Sequence, residues 1–132
     1  MKKVSELIGH ELDAWVARAE RQAVKVFGSD SGGDVIATRA GNRWKIIHGG
    51  TVMEQLRAGL YHPSTNPAQG QPIMERERIG ARWDDETLFG QPQNRWLAEH
   101  PGLSYALEGP TALIAGMRAL VASRFGEEVQ TP

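Results

Sequence analysis

The stretch GPTALIAGMRALVASRFG, Gly109 to Gly126, contains the clearest helix signal in the sequence. Thr111 is a good helix N-cap directly after Pro110, and Gly126 is a good terminator. Several other positions of this stretch are alanine or glycine, and these small residues allow another element to pack closely against the helix. We predict a C-terminal helix whose edges carry Arg118 and Arg124, with their stems covering apolar surface. The apolar face at helical spacing is Leu113, Met117, Leu120, Val121 and Phe125.

A second helix is predicted near the amino end, from about Gly9 to Arg21. Leu12, Trp15, Val16 and Ala19 fall at i, i+3, i+4 and i+7, so they form one apolar stripe. The polar residues of this segment are expected on or beside its solvated side. These are His10, Glu11, Asp13, Arg18 and Glu20.

The segments between the two helices are short, β-like and separated by turn residues, so we predict an α+β fold. In this prediction a small, mostly antiparallel sheet packs against the two main helices, in one loop-rich domain spanning residues 1–132. One or two helical turns are expected through Met53, Leu56 and Leu60. The predicted strands are Val24–Phe27, a hairpin over Asp34–His48 that turns at Ala40–Asn42, Arg82–Trp83, Asn94–Ala98 and Leu103–Leu107. The hairpin is expected to bury Val35, Trp44, Ile46 and Ile47.

Composition limits the classes of function. The 132 residues include 15 basic and 16 acidic side chains, a net charge of -1, so no general field attracts nucleic acid or an anionic membrane. The absence of cysteine is typical of a reducing compartment, and no apolar run approaches the roughly 20 residues that span a bilayer. We expect a cytoplasmic protein that does not enter a membrane.

The stretch YHPSTNPAQGQPIMERERIG, Tyr61 to Gly80, is the leading candidate for a binding site. Its prolines and glycine predict a constrained, turn-rich loop, followed by a charged exit into a short regular element. Such a loop offers directed hydrogen bonds, an aromatic face and charge without a large ordering cost. The candidate ligand-binding residues are Tyr61, His62, Ser64, Thr65, Gln69, Glu75 and Arg76.

Motifs for catalysis or cofactor binding are weak. The four histidines lack metal-ligand spacing, no phosphate-binding glycine motif occurs, and no cofactor is expected. An enzyme alternative uses His62 or Glu75 as a base in a small hydrolase, with Arg76 positioning an anion. Glu75 and Glu77 alternate with arginines along the sequence. This pattern is equally typical of a solvated run of charges.

A nucleic-acid alternative rests on three places where basic residues adjoin tryptophan: Arg43-Trp44-Lys45, Arg82-Trp83 and Arg95-Trp96. A tryptophan in a short strand is also a common core residue. The triplet Asn-Arg-Trp occurs twice, at Asn42 and at Asn94, but no fixed period accompanies it.

The sequence resembles the NinX family of small phage and prophage proteins. The shared pattern includes Leu12-Asp13 with Val16-Ala17, Tyr61 to Thr65, Ala68 to Gly70, Pro72 to Arg76 and Leu113 to Arg118. Met74 replaces an isoleucine of the family pattern, and Asn66-Pro67 stands where members often carry Asp-Trp. The resemblance implies an accessory protein that acts in an infected bacterium.

Together these features favour a non-enzymatic phage accessory protein that binds a partner protein or a small ligand through the Tyr61–Arg76 loop. Nucleic-acid binding and a small hydrolase activity are the two alternatives.

Overall fold

The computed structural model describes residues 1–28, 33–85 and 87–130. Three strands follow the first helix, two consecutive helices and five strands come next, and a 3-10 turn at Val4–Glu6 precedes the first helix. The helices are α1 (Gly9–Ala19), α2 (Val52–Ala58), α3 (Pro67–Glu77) and α4 (Ala112–Phe125). The strands are β1 (Lys2–Lys3), β2 (Ala23–Gly28), β3 (Asp34–Ala40), β4 (Arg43–His48), β5 (Gly80–Asp84), β6 (Thr87–Leu88), β7 (Gln91–Pro92), β8 (Arg95–Glu99), β9 (Leu107–Gly109) and β10 (Glu128–Val129).

The C-terminal helix α4 is the centre of the main core, as its sequence pattern indicates. Thr111 Oγ1 accepts the Ile114 N–H at 3.0 Å, and Gly126 ends the helix with a φ of 87°. Every residue from Ile114 to Ala122 is buried, because α1, α3 and a sheet pack around the helix. The expectation that Arg118 lies at an edge is wrong: it is buried and donates to the carbonyls of Leu7 and Glu108 at 2.8 and 2.7 Å.

Helix α1 lies between two apolar clusters, so it is covered on two sides. Leu12 and Val16 belong to the main core with α4, as the predicted stripe requires. Ala14 and Ala17 face a second cluster that contains Ile47 of β4. The small alanines let the neighbouring sheet approach this side of the helix.

The first sheet is the antiparallel meander β2-β3-β4, which confirms the predicted strand and hairpin. Side chains alternate between its faces. The inner face carries Val24, Val26 and Ile36 toward α1. The outer face carries Lys25 and Phe27 of β2, with Val35, Ala37, Trp44 and Ile46 beside them by register. Val35, Ile46 and Ile47 are buried as expected, and Trp44 is half-buried.

The second sheet has the order β5-β8-β9, is antiparallel, and packs one face on α4. The predicted strand over residues 103–107 is wrong. Hydrogen bonds from the N–H groups of Gly102 and Leu103 to His100 hold a turn, so the chain regains its pairing with β8 only at Leu107. The α+β class is confirmed, with the main strands divided between two three-stranded sheets instead of one.

The predicted loop over residues 61–76 is only partly a loop, because α3 begins at Pro67. Asn66 Oδ1 caps the helix by accepting the Ala68 N–H at 3.0 Å, and Pro67 at the first helical position needs no hydrogen-bond partner. Ile73 and Met74 then bury the apolar side of α3 in the main core. The sequence was misleading because the proline that suggests a turn is also a good first residue of a helix.

The described part of the chain also contains two small sheets. The pairs β1-β10 and β6-β7 form two-stranded sheets. No helix among the described residues is long and apolar enough to cross a membrane. The assignment of residues 1–132 to one domain stays a prediction.

Candidate functional site

The segment between α2 and α3 lies against α1 and is largely buried. Ser64 donates its backbone N–H to Asp13 Oδ1 at 2.9 Å, although the two residues are 51 positions apart. Asp13 is 2% exposed and Ser64 is 1% exposed. Burial raises the pKa of Asp13, and hydrogen bonding by Ser64 and the charge of His62 oppose part of that rise. The expectation that Asp13 lies beside solvent is therefore wrong, because α1 is covered on two sides.

Four candidate ligand-binding residues belong to this segment, and Tyr61, His62 and Ser64 are its three inner ones. Tyr61 packs in the second apolar cluster, and burial raises its pKa with a further contribution from Glu20. Within the described residues, Tyr61 Oη and Ser64 Oγ have no hydrogen bond of ordinary length and angle. His62 Nε2 lies 3.0 Å from the carbonyl oxygen of Ile47. Tyr61 and Ser64 therefore contribute to the interior and not to an open surface.

Gln69 joins this segment to the start of α3. Its Oε1 accepts the His62 N–H at 2.6 Å, and its Nε2 donates to the carbonyl oxygen of Leu60 at 2.7 Å. Both ends of the amide are thus used by the backbone that precedes the helix. Gln69 therefore has a structural role, since it holds the turn that precedes α3.

Arg76 and Glu77, at the end of α3, belong to a charged cluster that connects three helices. Arg76 forms an ion pair with Glu20, the residue directly after α1. Glu77 accepts hydrogen bonds from His100 Nε2 at 3.0 Å and from Arg124 of α4 at 2.8 Å. These contacts lower the pKa of Glu77 to about 2, and the His100 hydrogen bond is the largest cause. The cluster therefore stabilises the packing of α3 when Glu77 is ionised.

The remaining candidates, Thr65 and Glu75, are exposed. Among the described residues, no hydrogen bond or ion pair joins Glu75 to His62, so the hydrolase alternative receives no support from a contact between its two bases. Binding of a ligand by the seven candidate residues stays a prediction. The side chains of His62, Gln69 and Arg76 and the backbone N–H of Ser64 make contacts within the chain.

Helix α2 presents its apolar side chains to solvent. Val52 is 72% exposed, Met53 57% and Leu56 73%. A reciprocal capping box between Thr51 and Glu54 nevertheless fixes the start of the helix, with hydrogen bonds of 3.0 and 3.1 Å. A short, well-capped helix with its apolar side exposed is typical of a surface that binds another molecule.

The outer face of the first sheet adds aromatic and basic groups on the same side of the protein as α2. Phe27 and Trp44 pack edge to face with their ring centroids 5.2 Å apart, and Lys25 Nζ lies 6.0 Å from the Trp44 ring. Helix α2 covers the neighbouring Ile46. We call this side the outer surface, and it consists of Lys25, Phe27, Trp44, Val52, Met53 and Leu56.

The other two arginine and tryptophan pairs have a different arrangement. Trp83 and Trp96 pack edge to face at 5.7 Å on the side of the second sheet that faces α4. Arg95 lies on the opposite face and contacts Glu108 and Asp84, with its Nε 3.2 Å from Asp84. Arg82 lies 3.9 Å from Glu99. These arginines are therefore neutralised within the chain and are poorly placed to bind phosphate.

Fold and site together define a small α+β protein whose loop residues support the core and whose first sheet and α2 form an outward apolar surface. The chain matches the family model described as Bacteriophage P22, NinX, over residues 3–124. It therefore belongs to the NinX family and is a phage accessory protein, as the sequence resemblance implies. A comparison with curated proteins found no match.

Proposed function

We propose that this phage accessory protein is a non-enzymatic binding module that docks a partner protein on its outer surface. The observation that supports the proposal best is the orientation of α2, which exposes Val52, Met53 and Leu56. Apolar side chains of this size usually face a core in a stable monomer. Helix α2 is held instead by its cap, by the hydrogen bond from Gln55 Nε2 to the Gly49 carbonyl and by contact with β4.

The exposed apolar side of α2 supplies free energy for association. Covering a side chain of this kind is worth about 1.5 to 3 kcal/mol before the costs of association are subtracted. Three such side chains on one short helix form the centre of a small interface, and the aromatic pair Phe27 and Trp44 extends the same side. Apolar centres of this type contribute most of the affinity in protein interfaces.

The charges on this side favour an acidic partner. Lys25, Arg39 and Arg57 form no ion pair with any carboxylate in the described part of the chain. A partner segment that combines apolar side chains with aspartate or glutamate would cover α2 and neutralise these cations. The proposed partner is therefore an acidic, partly apolar segment of another protein.

The 61–76 region provides the alternative location for the binding surface. Thr65, Glu75 and Arg76 are its exposed candidates, whereas Tyr61 and Ser64 are buried and Gln69 bonds the neighbouring backbone. A crosslinking probe placed at one residue of each region distinguishes binding at the 61–76 region from binding on the outer surface.

Photo-crosslinking in phage-infected bacteria tests the proposal. The protein carries p-benzoylphenylalanine in place of Met53 or, as the matched variant, in place of Glu75; both positions are exposed helix residues. We expect one discrete protein adduct from position 53 that disappears when Leu56→Lys is added, and no adduct from position 75. An adduct from position 75 alone would contradict the outer surface and favour the 61–76 region.

A nucleic-acid partner gives a different result. In that case the purified protein binds a labelled oligothymidylate, the affinity falls steeply with salt, and Trp44→Ala weakens binding. That outcome, with no protein adduct from position 53, would overturn the proposed class of partner.

A further inference from the structure

A cleft of about 410 Å³ opens between α1 and the inner face of the first sheet, on the side opposite to the outer surface. Its volume lies within the range of small-molecule sites. Strand β10 lies at one end of the cleft. The apolar lining includes Leu7, Trp15, Val24, Val26, Ile36 and Val129.

The cleft lies beside the contacts that α1 makes with the sheet. The small residues Ala14 and Ala17 meet Ile47 in the second apolar cluster, whereas Val26 lines the cleft and lies outside this cluster. Val26 therefore remains 62% exposed on the inner face of β2. An apolar molecule in the cleft would remove this surface from water.

The rim of the cleft has an unbalanced positive charge. Lys2 forms an ion pair with Glu11 at 3.0 Å, so these two charges cancel. Arg18 lies over the Trp15 ring, 4.6 Å from its centroid, and forms no ion pair with a carboxylate among the described residues. A guanidinium stacked on an indole keeps its N–H donors at the edge, where they are available to an anion.

Arg18 is an exposed residue at the rim, and the Trp15 ring covers one side of its guanidinium. Burial lowers the pKa of Arg18, which nevertheless stays protonated near neutral pH. A charge in such a place gains more from an anionic partner than a fully solvated charge does. The apolar floor and the cation of Arg18, which has no ion pair among the described residues, thus lie side by side on α1 and β2.

We propose that the cleft binds a small amphipathic anion, with its apolar body on Val24, Val26 and Ile36 and its carboxylate or sulfonate on Arg18. The site is separate from the outer surface, since it uses the opposite face of the sheet. The proposal does not depend on the identity of the partner protein.

The test is a fluorescence titration of the full chain with 8-anilinonaphthalene-1-sulfonate, followed by displacement with octanoate. We expect one saturable site that octanoate empties. Val26→Glu places a carboxylate in the apolar floor and should weaken binding by about tenfold or more, since tenfold corresponds to the burial of less than one apolar side chain. Arg18→Gln should weaken both probes several-fold.

Two controls keep the result decisive. Arg82→Gln removes an equal charge from the second sheet and should leave both affinities unchanged. A two-dimensional amide spectrum of each variant shows whether it is folded, and octanoate should shift the amides of β2 and α1 in the wild type. Equal binding by Val26→Glu in its folded state, non-saturable binding of the dye, or amide shifts confined to another region would overturn the proposal.

Discussion

The two three-stranded sheets each contain the triplet Asn-Arg-Trp at the start of a strand, and the two copies have opposite environments. In the second sheet, Arg95 contacts two carboxylates and Trp96 packs against the main core. In the first sheet, Arg43 has no ion pair in the described part of the chain, and Trp44 lies on the outer face beside Phe27. The arginine and tryptophan of the triplet thus contact carboxylates and the main core in one sheet, whereas in the other the tryptophan lies on the outer face.

This difference separates stability from binding. The second sheet and α4 satisfy their charges and apolar groups within the chain, so these groups contribute to the free energy of unfolding. The first sheet and α2 leave cations and apolar side chains without partners in the described residues, so these groups are available to another molecule. Substitutions on the two sides should therefore affect different measurements.

Arg118→Ala should have the largest effect on stability. The change leaves the carbonyls of Leu7 and Glu108 without their donor and opens a cavity beside α4. We expect a loss of about 3 to 4 kcal/mol in the free energy of unfolding, measured with urea. Arg118→Met retains the apolar stem and should lose about half as much. A loss below about 1 kcal/mol for Arg118→Ala would show that the buried contacts are unimportant.

Glu77→Gln should have the next largest effect, and its effect depends on pH. The folded-state pKa of about 2 lies below the ordinary value of 4.5, so ionised Glu77 stabilises the folded state fully above pH 4.5. That contribution disappears as the pH falls from 4.5 toward 2. We expect Glu77→Gln to lose about 2 kcal/mol at pH 7, since solvent screens part of a shift worth ~1.4 kcal/mol per pKa unit.

The measurement is the difference in the free energy of unfolding between wild type and Glu77→Gln, followed from pH 7 to pH 3. The difference should shrink as the pH falls. Glu75→Gln, an exposed neighbour on the same helix, should show no such change. A constant difference between pH 7 and pH 3 would contradict the role of the His100 and Arg124 contacts.

The two triplets allow a matched comparison, in which the expected changes in stability are smaller. Arg95→Gln removes the cation beside Asp84, which is 5% exposed, and should cost about 1 kcal/mol. Arg43→Gln removes an exposed arginine without an ion pair and should change stability by less than about 0.5 kcal/mol. Thermal and urea unfolding of both variants measure this difference. Equal losses would show that the two sheets do not differ in the way described.

Much of this fold follows from local sequence. The apolar spacing of α1 and α4, together with the caps of α4, predicts both helices, and the alternation around Val35 and Ile46 predicts the hairpin. These elements are predictable because their signals lie within a few turns of the chain. Pro67 shows the limit of such signals, since a proline is equally suited to a turn and to the first residue of a helix.

The candidate site was less predictable because its properties depend on distant partners. Asp13 reads as a solvated residue of α1 until Ser64 is brought to it from 51 positions away. Likewise, the sequence TVMEQLRAG indicates helical turns, but it does not reveal which side of α2 meets β4. The identical triplets at Asn42 and Asn94 show the same limit, since only the sheets around them distinguish an exposed arginine from a neutralised one.

The most direct test compares Leu56→Lys on α2 with Leu97→Lys on the second sheet. The measurement is the affinity of each variant for the protein that crosslinks to position 53. We predict that Leu56→Lys weakens binding by about tenfold or more while its free energy of unfolding stays within about 0.5 kcal/mol of the wild type, because the side chain is 73% exposed. Leu97→Lys should bind like the wild type. Unchanged affinity for Leu56→Lys, or equal losses for both variants, would contradict the assignment of binding to the outer surface.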